Sequence, residues 1–280
     1  MTDKKYALGS IGRGNRIVTS RGLKLVRADN LSREAGIVHG FSTCVGGVSP
    51  APYESLNFSF SRDDKRENIL RNFSIFCAAF ELDEASLVAV NHEHGANVEC
   101  VSGADFGRGI YRESLPFCDG IITNDPAVTL ITLHADCGCV YLYDKKRRAI
   151  GLAHAGWKGA YRRVGQRMAE KMALEFGSDP AELIAAIGPL ISFDRFEVDA
   201  DIGADFEMEF GYPPIQKPGK KGKAYVDIAA ALTIQLLDAG IGRENICLMD
   251  ICTYERDDLF YSYRRDKTQT GAMIGYLKLV

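Results

Sequence analysis

The stretch VTLITLHADCGCVYLYDKKRRAIGLAHAGWKG, Val128 to Gly159, decides how this chain is read. It holds three short apolar runs: Val128–Leu133, Val140–Tyr143 and Ala149–Ala153. Each is rich in β-branched, aromatic or aliphatic residues and too short for a typical helix, so each predicts a strand. No helix-length segment separates them, whereas a parallel βαβ crossover needs a dozen or more residues. The breaks are chemically loaded. Ala135-Asp136-Cys137 follows the first run, and His154-Ala155-Gly156-Trp157-Lys158-Gly159 follows the third. One thiol and one imidazole thus stand at the polar ends of apolar runs, with the single tryptophan of the chain three residues past the histidine.

The same pattern extends outward. Leu23–Ala28, Gly36–Phe41, Leu87–Val90, Asn97–Val101, Leu183–Ile187, Ile246–Met249, Leu259–Ser262 and Met273–Lys278 read as further strands. Asp63–Leu82 reads as an amphipathic helix, with Ile69, Leu70, Phe73, Phe76, Cys77 and Phe80 at helical spacing on one face. Gly159–Phe176 has helix-forming composition and ends at Gly177 and Pro180. Asp227 caps a helix running to about Ala239. Strands outnumber helices and many are consecutive, which predicts an α+β fold with mixed or antiparallel sheets. Residues 1–20, rich in Gly, Ser, Lys and Arg, are expected to form a mobile arm, and 21–280 a single domain. The Pro213–Lys223 stretch reads as a surface loop, and no internal repeat is evident.

Composition narrows the function. With 280 residues and 46% hydrophobic content the chain can bury a core without disulfides or metal. A net charge of −3 without a charged tail argues against nucleic acid as the main partner. No apolar run reaches the roughly 18 residues of a membrane span. Residues 1–16 lack the apolar middle of a signal peptide, so the expectation is a cytoplasmic protein without a membrane partner. The eight cysteines form no CxxC pair and read as reduced thiols, most of them core residues.

Four of the five histidines, His92, His94, His134 and His154, lie in polar breaks between strands. Two metal sites are compatible with them: His92, His94 and His154, or His94, Cys137 and His154. Either leaves the open fourth position of a catalytic zinc. Alternatively Cys137 is a nucleophile with His154 as its base. Cys139 reads as packing. Asp136 could orient a ligand, carry a proton or cap the turn at Cys137. Lys158, Arg162 and Arg163 at a helix start suit a phosphate, though a solvated helix face has the same pattern. Arg264 and Arg265 make a second basic pair. Trp157, Phe41 and Tyr263 could stack on an aromatic ring or simply pack.

Several blocks together carry a family resemblance. They are HGFSTCVGGVS with ESLN (His39 to Asn57), HGANV (His94 to Val98), CDGIIT (Cys118 to Thr123) and ADC (Ala135 to Cys137). HAGWKG (His154 to Gly159), IGP (Ile187 to Pro189), FEV (Phe196 to Val198), CTY (Cys252 to Tyr254) and YSYRRD (Tyr261 to Asp266) follow. The sequence resembles the laccase-domain (polyphenol oxidase) family, understood as purine nucleoside phosphorylases with adenosine deaminase activity. The resemblance implies two β-sheets packed face to face with helices outside. It implies a metal site of His94, Cys137 and His154, usually zinc. The reactions implied are phosphorolysis of adenosine, inosine, guanosine and methylthioadenosine, and deamination of adenosine. An older reading is a polyphenol oxidase using copper.

Purine nucleoside and phosphate are then the partners of a monomer or homodimer. Lys158, Arg264 and Asn57 are the candidate substrate or phosphate contacts, and Asp136 a candidate proton carrier. This chain departs from the family pattern at Cys44 and Ala272, where arginine is usual, and at His92, where glutamine is usual. Those departures motivate a further alternative, a non-catalytic paralogue that keeps its metal.

Overall fold

The computed structural model describes residues 8–211 and 215–280. Its frame is two mixed sheets. The six-stranded sheet runs, edge to edge, Asn15–Ser20, Leu23–Ala28, Ile37–Ser42, Met273–Leu279, Thr129–His134 and Leu87–Ala89. All its pairs are antiparallel except that of Leu87–Ala89 with Thr129–His134. The seven-stranded sheet runs Gly12–Arg13, Ile246–Leu248, Ile184–Ile187, Gly138–Asp144, Ala149–Ala155, Gly120–Thr123 and Val98–Cys100. Its centre is antiparallel and its edge pairs are parallel. A small third sheet is built from Glu197–Asp199, Lys223–Val226 and Gln216–Pro218.

The alternation of side chains along each strand sets the layers. Phe41, Leu130, Met273 and Leu277 of the six-stranded sheet meet Cys139, Tyr141, Ile150 and Leu152 of the seven-stranded sheet in one shared core. Their sequence neighbours point the other way. Ile131, Ile274 and Tyr276 pack on Phe73, Phe76 and Cys77 of helix Arg66–Phe80. Val140, Leu142 and Ile187 pack on Met168 and Met172 of helix Val164–Phe176 and on Leu232 and Leu236 of helix Ile228–Asp238. Every layer is apolar where it touches another, which is why both central strands of the opening stretch read as continuous hydrophobic runs. The architecture is α+β, with two mixed sheets face to face and helices on both outer faces.

Several expectations are corrected. From Gly12 on, the expected arm is strand: Asn15–Ser20 pairs throughout with Leu23–Ala28. Residues 1–7 of that arm lie outside the described residues. Leu259–Ser262 is turn and irregular backbone, because its apolar side chains fill the shared core without a ladder partner. The helix expected over Gly159–Phe176 is two, Trp157–Tyr161 and Val164–Phe176, interrupted at Arg163 with φ 62°. Part of the Pro213–Lys223 loop is strand, and Pro213 and Pro214 lie outside the described residues. Among the described residues no helix is long and apolar enough to cross a membrane.

Phe73 is fully buried, with its ring 4.8 Å from that of Phe58. Phe73→Ala is expected to cost about 3–5 kcal/mol, the usual penalty for truncating a buried aromatic. Chemical denaturation of the variant against the parent measures it.

Candidate metal centre

The chain leaves the six-stranded sheet at His134 and enters the seven-stranded sheet at Gly138. Only Ala135, Asp136 and Cys137 make the crossing. So tight a corner puts Asp136 in the left-handed region at φ 81°, a conformation that non-glycine residues keep only where the surroundings hold it. The Asp136 carboxylate supplies that hold. Its Oδ1 accepts from the Thr253 hydroxyl at 2.7 Å. Its Oδ2 accepts from the Ser262 hydroxyl at 2.9 Å and from the Arg264 backbone N–H at 2.7 Å. Burial pushes this carboxyl up, and the three donors pull it back. On the other side of the corner His134 places Nδ1 3.1 Å from the Cys137 carbonyl and Nε2 2.7 Å from the Thr132 hydroxyl.

His154 is the penultimate residue of strand Ala149–Ala155 and stands opposite Cys139 in the ladder. Its Nδ1 lies 3.0 Å from Asp119 Oδ1, which leaves Nε2 as the ligand atom. Asp119 is fully buried and immediately precedes strand Gly120–Thr123. The same carboxylate accepts three successive backbone N–H groups, from Glu93 at 3.3 Å, His94 at 3.1 Å and Gly95 at 2.6 Å. That clamp fixes His94 at φ 62°, again in the left-handed region. One carboxylate therefore orients one imidazole and holds the loop that carries the other.

The outcome is convergence. The donor atoms of His94, Cys137 and His154 all lie within 4.8 Å of one another. Glycine makes room for it: a Cβ on Gly156 would stand 2.9 Å from His94 Cδ2 and 3.2 Å from Cys137 Sγ. A Cβ on Gly159 would stand 2.8 Å from the Gly95 carbonyl, so the helix beginning at Trp157 could not lie against the His94 loop. Two imidazoles and a thiol with an open side match the donor set of a catalytic zinc site, so these residues fit the metal. His92 stays outside the converging set, but its ring is 4.5 Å from that of His154.

Electrostatics agree with the donor chemistry. Burial raises the Cys137 thiol, but His154 and His94 beside it outweigh burial and bring it down to about 7. Burial lowers His154, while the Cys137 sulfur and Asp119 carry it up to about 9. The sulfur is poised as thiolate, the form that ligates a metal or attacks an electrophile. Burial, with the charges of His154 and His94, pushes His92 down to about 3, so it stands neutral.

A pocket of about 670 Å³ opens over the cluster, walled by Ser59, Phe60, Arg62, Asn91, His92 and Tyr263 among others. Lys158, Arg264 and Asn57 are not among its lining residues. Lys158 is exposed on helix Trp157–Tyr161, its ammonium 5.5 Å from the Trp157 ring. The Arg264 guanidinium donates to the Glu197 carbonyl at 2.8 Å and lies over the Phe196 ring. Asn57 is buried, donating to Asp64 and accepting from the Ser59 and Ala272 N–H groups. Asp136 is likewise absent from the lining, its oxygens spent on the corner. Of the departures, Ala272 and His92 line the pocket, whereas Cys44 packs against the shared core. Sequence reasoning missed Asp119, Gly156 and Arg62. Asp119 and Gly156 were visible within CDGIIT and HAGWKG; Arg62 carries no local signal.

The sequence profile of the family described as multi-copper polyphenol oxidoreductase laccase matches residues 38–280. This chain belongs to that family. It is 35% identical over 257 residues to the purine nucleoside phosphorylase of Deinococcus radiodurans, covering 91% of this chain and 93% of that protein. It is 33% identical over 244 residues to purine nucleoside phosphorylase YlmD of Bacillus subtilis, covering 86% of this chain and 88% of that protein. Among solved structures, YlmD from Geobacillus stearothermophilus superposes with a TM-score of 0.88 at 27% identity, over 95% of this chain and 99% of that one. The Bacillus licheniformis hypothetical protein YfiH gives 0.87 at 28% identity, with the same coverage.

Removing the carboxylate behind His154 tests how the site is held. Asp119→Ala is expected to weaken binding of a divalent metal about 10- to 100-fold, the usual cost of losing such an outer partner. Competition with a chromogenic chelator reads it. In metal-free protein, alkylation of Cys137 is expected to rise with pH through about 7. His154→Ala removes the stabilising charge and should move that rise to higher pH.

Proposed function

We propose that this chain is a zinc-dependent purine nucleoside phosphorylase whose pocket also deaminates adenosine. Its substrates are adenosine, inosine, guanosine and methylthioadenosine. The observation that carries this reading is the convergence of His94, Cys137 and His154 beneath a pocket of nucleoside-accommodating size. The names of the relatives support the purine nucleoside and phosphate.

Zinc held by these three residues supplies Lewis acidity. The rest is done by the chain. Tyr263, exposed at the pocket wall, offers its ring to a purine. Asn91 and the neutral His92 offer hydrogen bonds at the pocket wall. Asp119 keeps Nδ1 of His154 occupied, so that imidazole does not drift from the cluster. Asp136 acts through the corner that places Cys137, as a positioning residue. In phosphorolysis the glycosidic C1′–N bond breaks, a phosphate oxygen bonds to C1′, and the base leaves with the electron pair and takes up a proton. In deamination water replaces the exocyclic amine, which leaves as ammonia.

A second reading has its own observation. The lowered Cys137 thiol beside His154 is also the pair of a cysteine hydrolase. The family description keeps copper as an alternative metal, since thiolate and imidazole also suit copper.

Zinc-loaded protein is expected to convert adenosine to inosine without phosphate, and to release adenine and ribose phosphate with it. No product above a Cys137→Ala control would remove the proposal. Elemental analysis is expected to find one zinc per chain, lost in Cys137→Ala. Activity that persists without metal and disappears on Cys137 alkylation would favour the hydrolase.

A further inference from the structure

We propose that Arg62 is the anion grip of the metal pocket, binding the inorganic phosphate that the reaction consumes. This rests on the phosphorylase reading above for the identity of the anion. Among the described residues Arg62 is the one lysine or arginine that lines the pocket, and no aspartate or glutamate lines it. Among the described residues no carboxylate pairs with Arg62 and no hydrogen bond holds it; its guanidinium stands 5.8 Å from the Tyr263 ring, and its Nε–H is buried without a partner. Nearby Asp64 is already committed, accepting from Ser49 at 2.6 Å and from Asn57 and Asn68 at 2.9 Å each.

Arg265 is used differently. Its guanidinium donates to the carbonyls of Thr253, Tyr254 and Phe260 and to Asp266, so every part of the fork serves the fold. Arg62 keeps its fork unused. A half-buried guanidinium with no counter-charge, in a pocket without acids, makes a positive potential aimed at whatever enters. Its planar donors match a phosphate bidentately. Ser114 and the hydroxyl pair Ser59–Ser61, whose oxygens lie 2.9 Å apart, line the same pocket; one proton of that pair is used between them, which leaves its other hydroxyl and Ser114 as neutral donors. Lys158 and Arg264, the cations the sequence offered for this task, are turned to Trp157 and Phe196 instead.

Titration calorimetry of inorganic phosphate into zinc-loaded protein, without nucleoside, tests the assignment directly. The parent is expected to bind phosphate saturably, with sulfate competing. Arg62→Gln is expected to weaken it about 10- to 100-fold, the scale of a lost charge-assisted pair, and Arg62→Lys less. Zinc content and Tm should match the parent in both variants. Kinetically, the phosphate KM rises by the same factor in Arg62→Gln, and phosphorolysis at limiting phosphate falls by more than phosphate-independent deamination does. Equal phosphate affinity in parent and Arg62→Gln, or no saturable binding by the parent, overturns the proposal. So does an equal loss of deamination and phosphorolysis in Arg62→Gln. Phosphate binding that depends on Arg62 in a parent that phosphorolyses no nucleoside supports the grip and removes the phosphorylase reading alone.

Discussion

Three residues, Ala135 to Cys137, carry the chain from one sheet to the other, and the hydrogen bonds on Asp136 hold that corner closed. Much else follows from it. The two sheets share one apolar core, so the strands on either side of the corner must each stay in register with their own sheet. A side chain at the corner therefore has little positional freedom. Cys137 occupies that place. The donors that hold the corner come from Thr253, Ser262 and Arg264, distant in sequence, which ties the 250–266 segment to the same point. Leu259 and Phe260 of that segment are buried in the shared core. The irregular backbone there is the price of that tie.

Asp119 plays the matching part on the opposite side. Its carboxylate meets the His154 ring and three consecutive N–H groups around His94. A buried charge is tolerated only when well hydrogen-bonded, and this one is bonded four times. The two converging histidines thus depend on one group, and the cysteine depends on another. Both groups are aspartates that do not line the pocket. The chemistry sits on side chains whose positions are set from behind, which is how a site keeps its geometry without using pocket surface for support.

Much of this was legible in the chain. Alternation and run length marked the strands of both sheets, and helical spacing marked Arg66–Phe80 and its buried stripe. The ligand types stood out because a thiol and imidazoles at strand ends are unusual. Misreadings came where tertiary contact overrides local pattern. Asn15–Ser20 has an arm's composition but gains a ladder from Leu23–Ala28. Leu259–Ser262 has a strand's composition but spends its apolar side chains in the core without one. Lys158 and Arg264 look like phosphate contacts by charge, but neither lines the pocket: Lys158 is exposed beside Trp157, and Arg264 donates to the Glu197 carbonyl.

By itself the sequence determined the α+β class, the strand-rich centre and the candidate donors His92, His94, Cys137 and His154. These rest on periodicity and on atom type, both properties of a residue and its near neighbours. Local pattern left open which donors converge, because convergence is a distance between segments; only the family resemblance implied His94, Cys137 and His154. The tertiary structure brings the donor atoms of His94, Cys137 and His154 together and puts His92 in the wall, and it alone decided that Asp136 supports a corner. It also brought Arg62 to the same pocket, from a segment whose sequence carries no sign of it. The physical reason is the shared core: only when the two sheets close on each other do the ends of their strands, and the loops beyond them, meet.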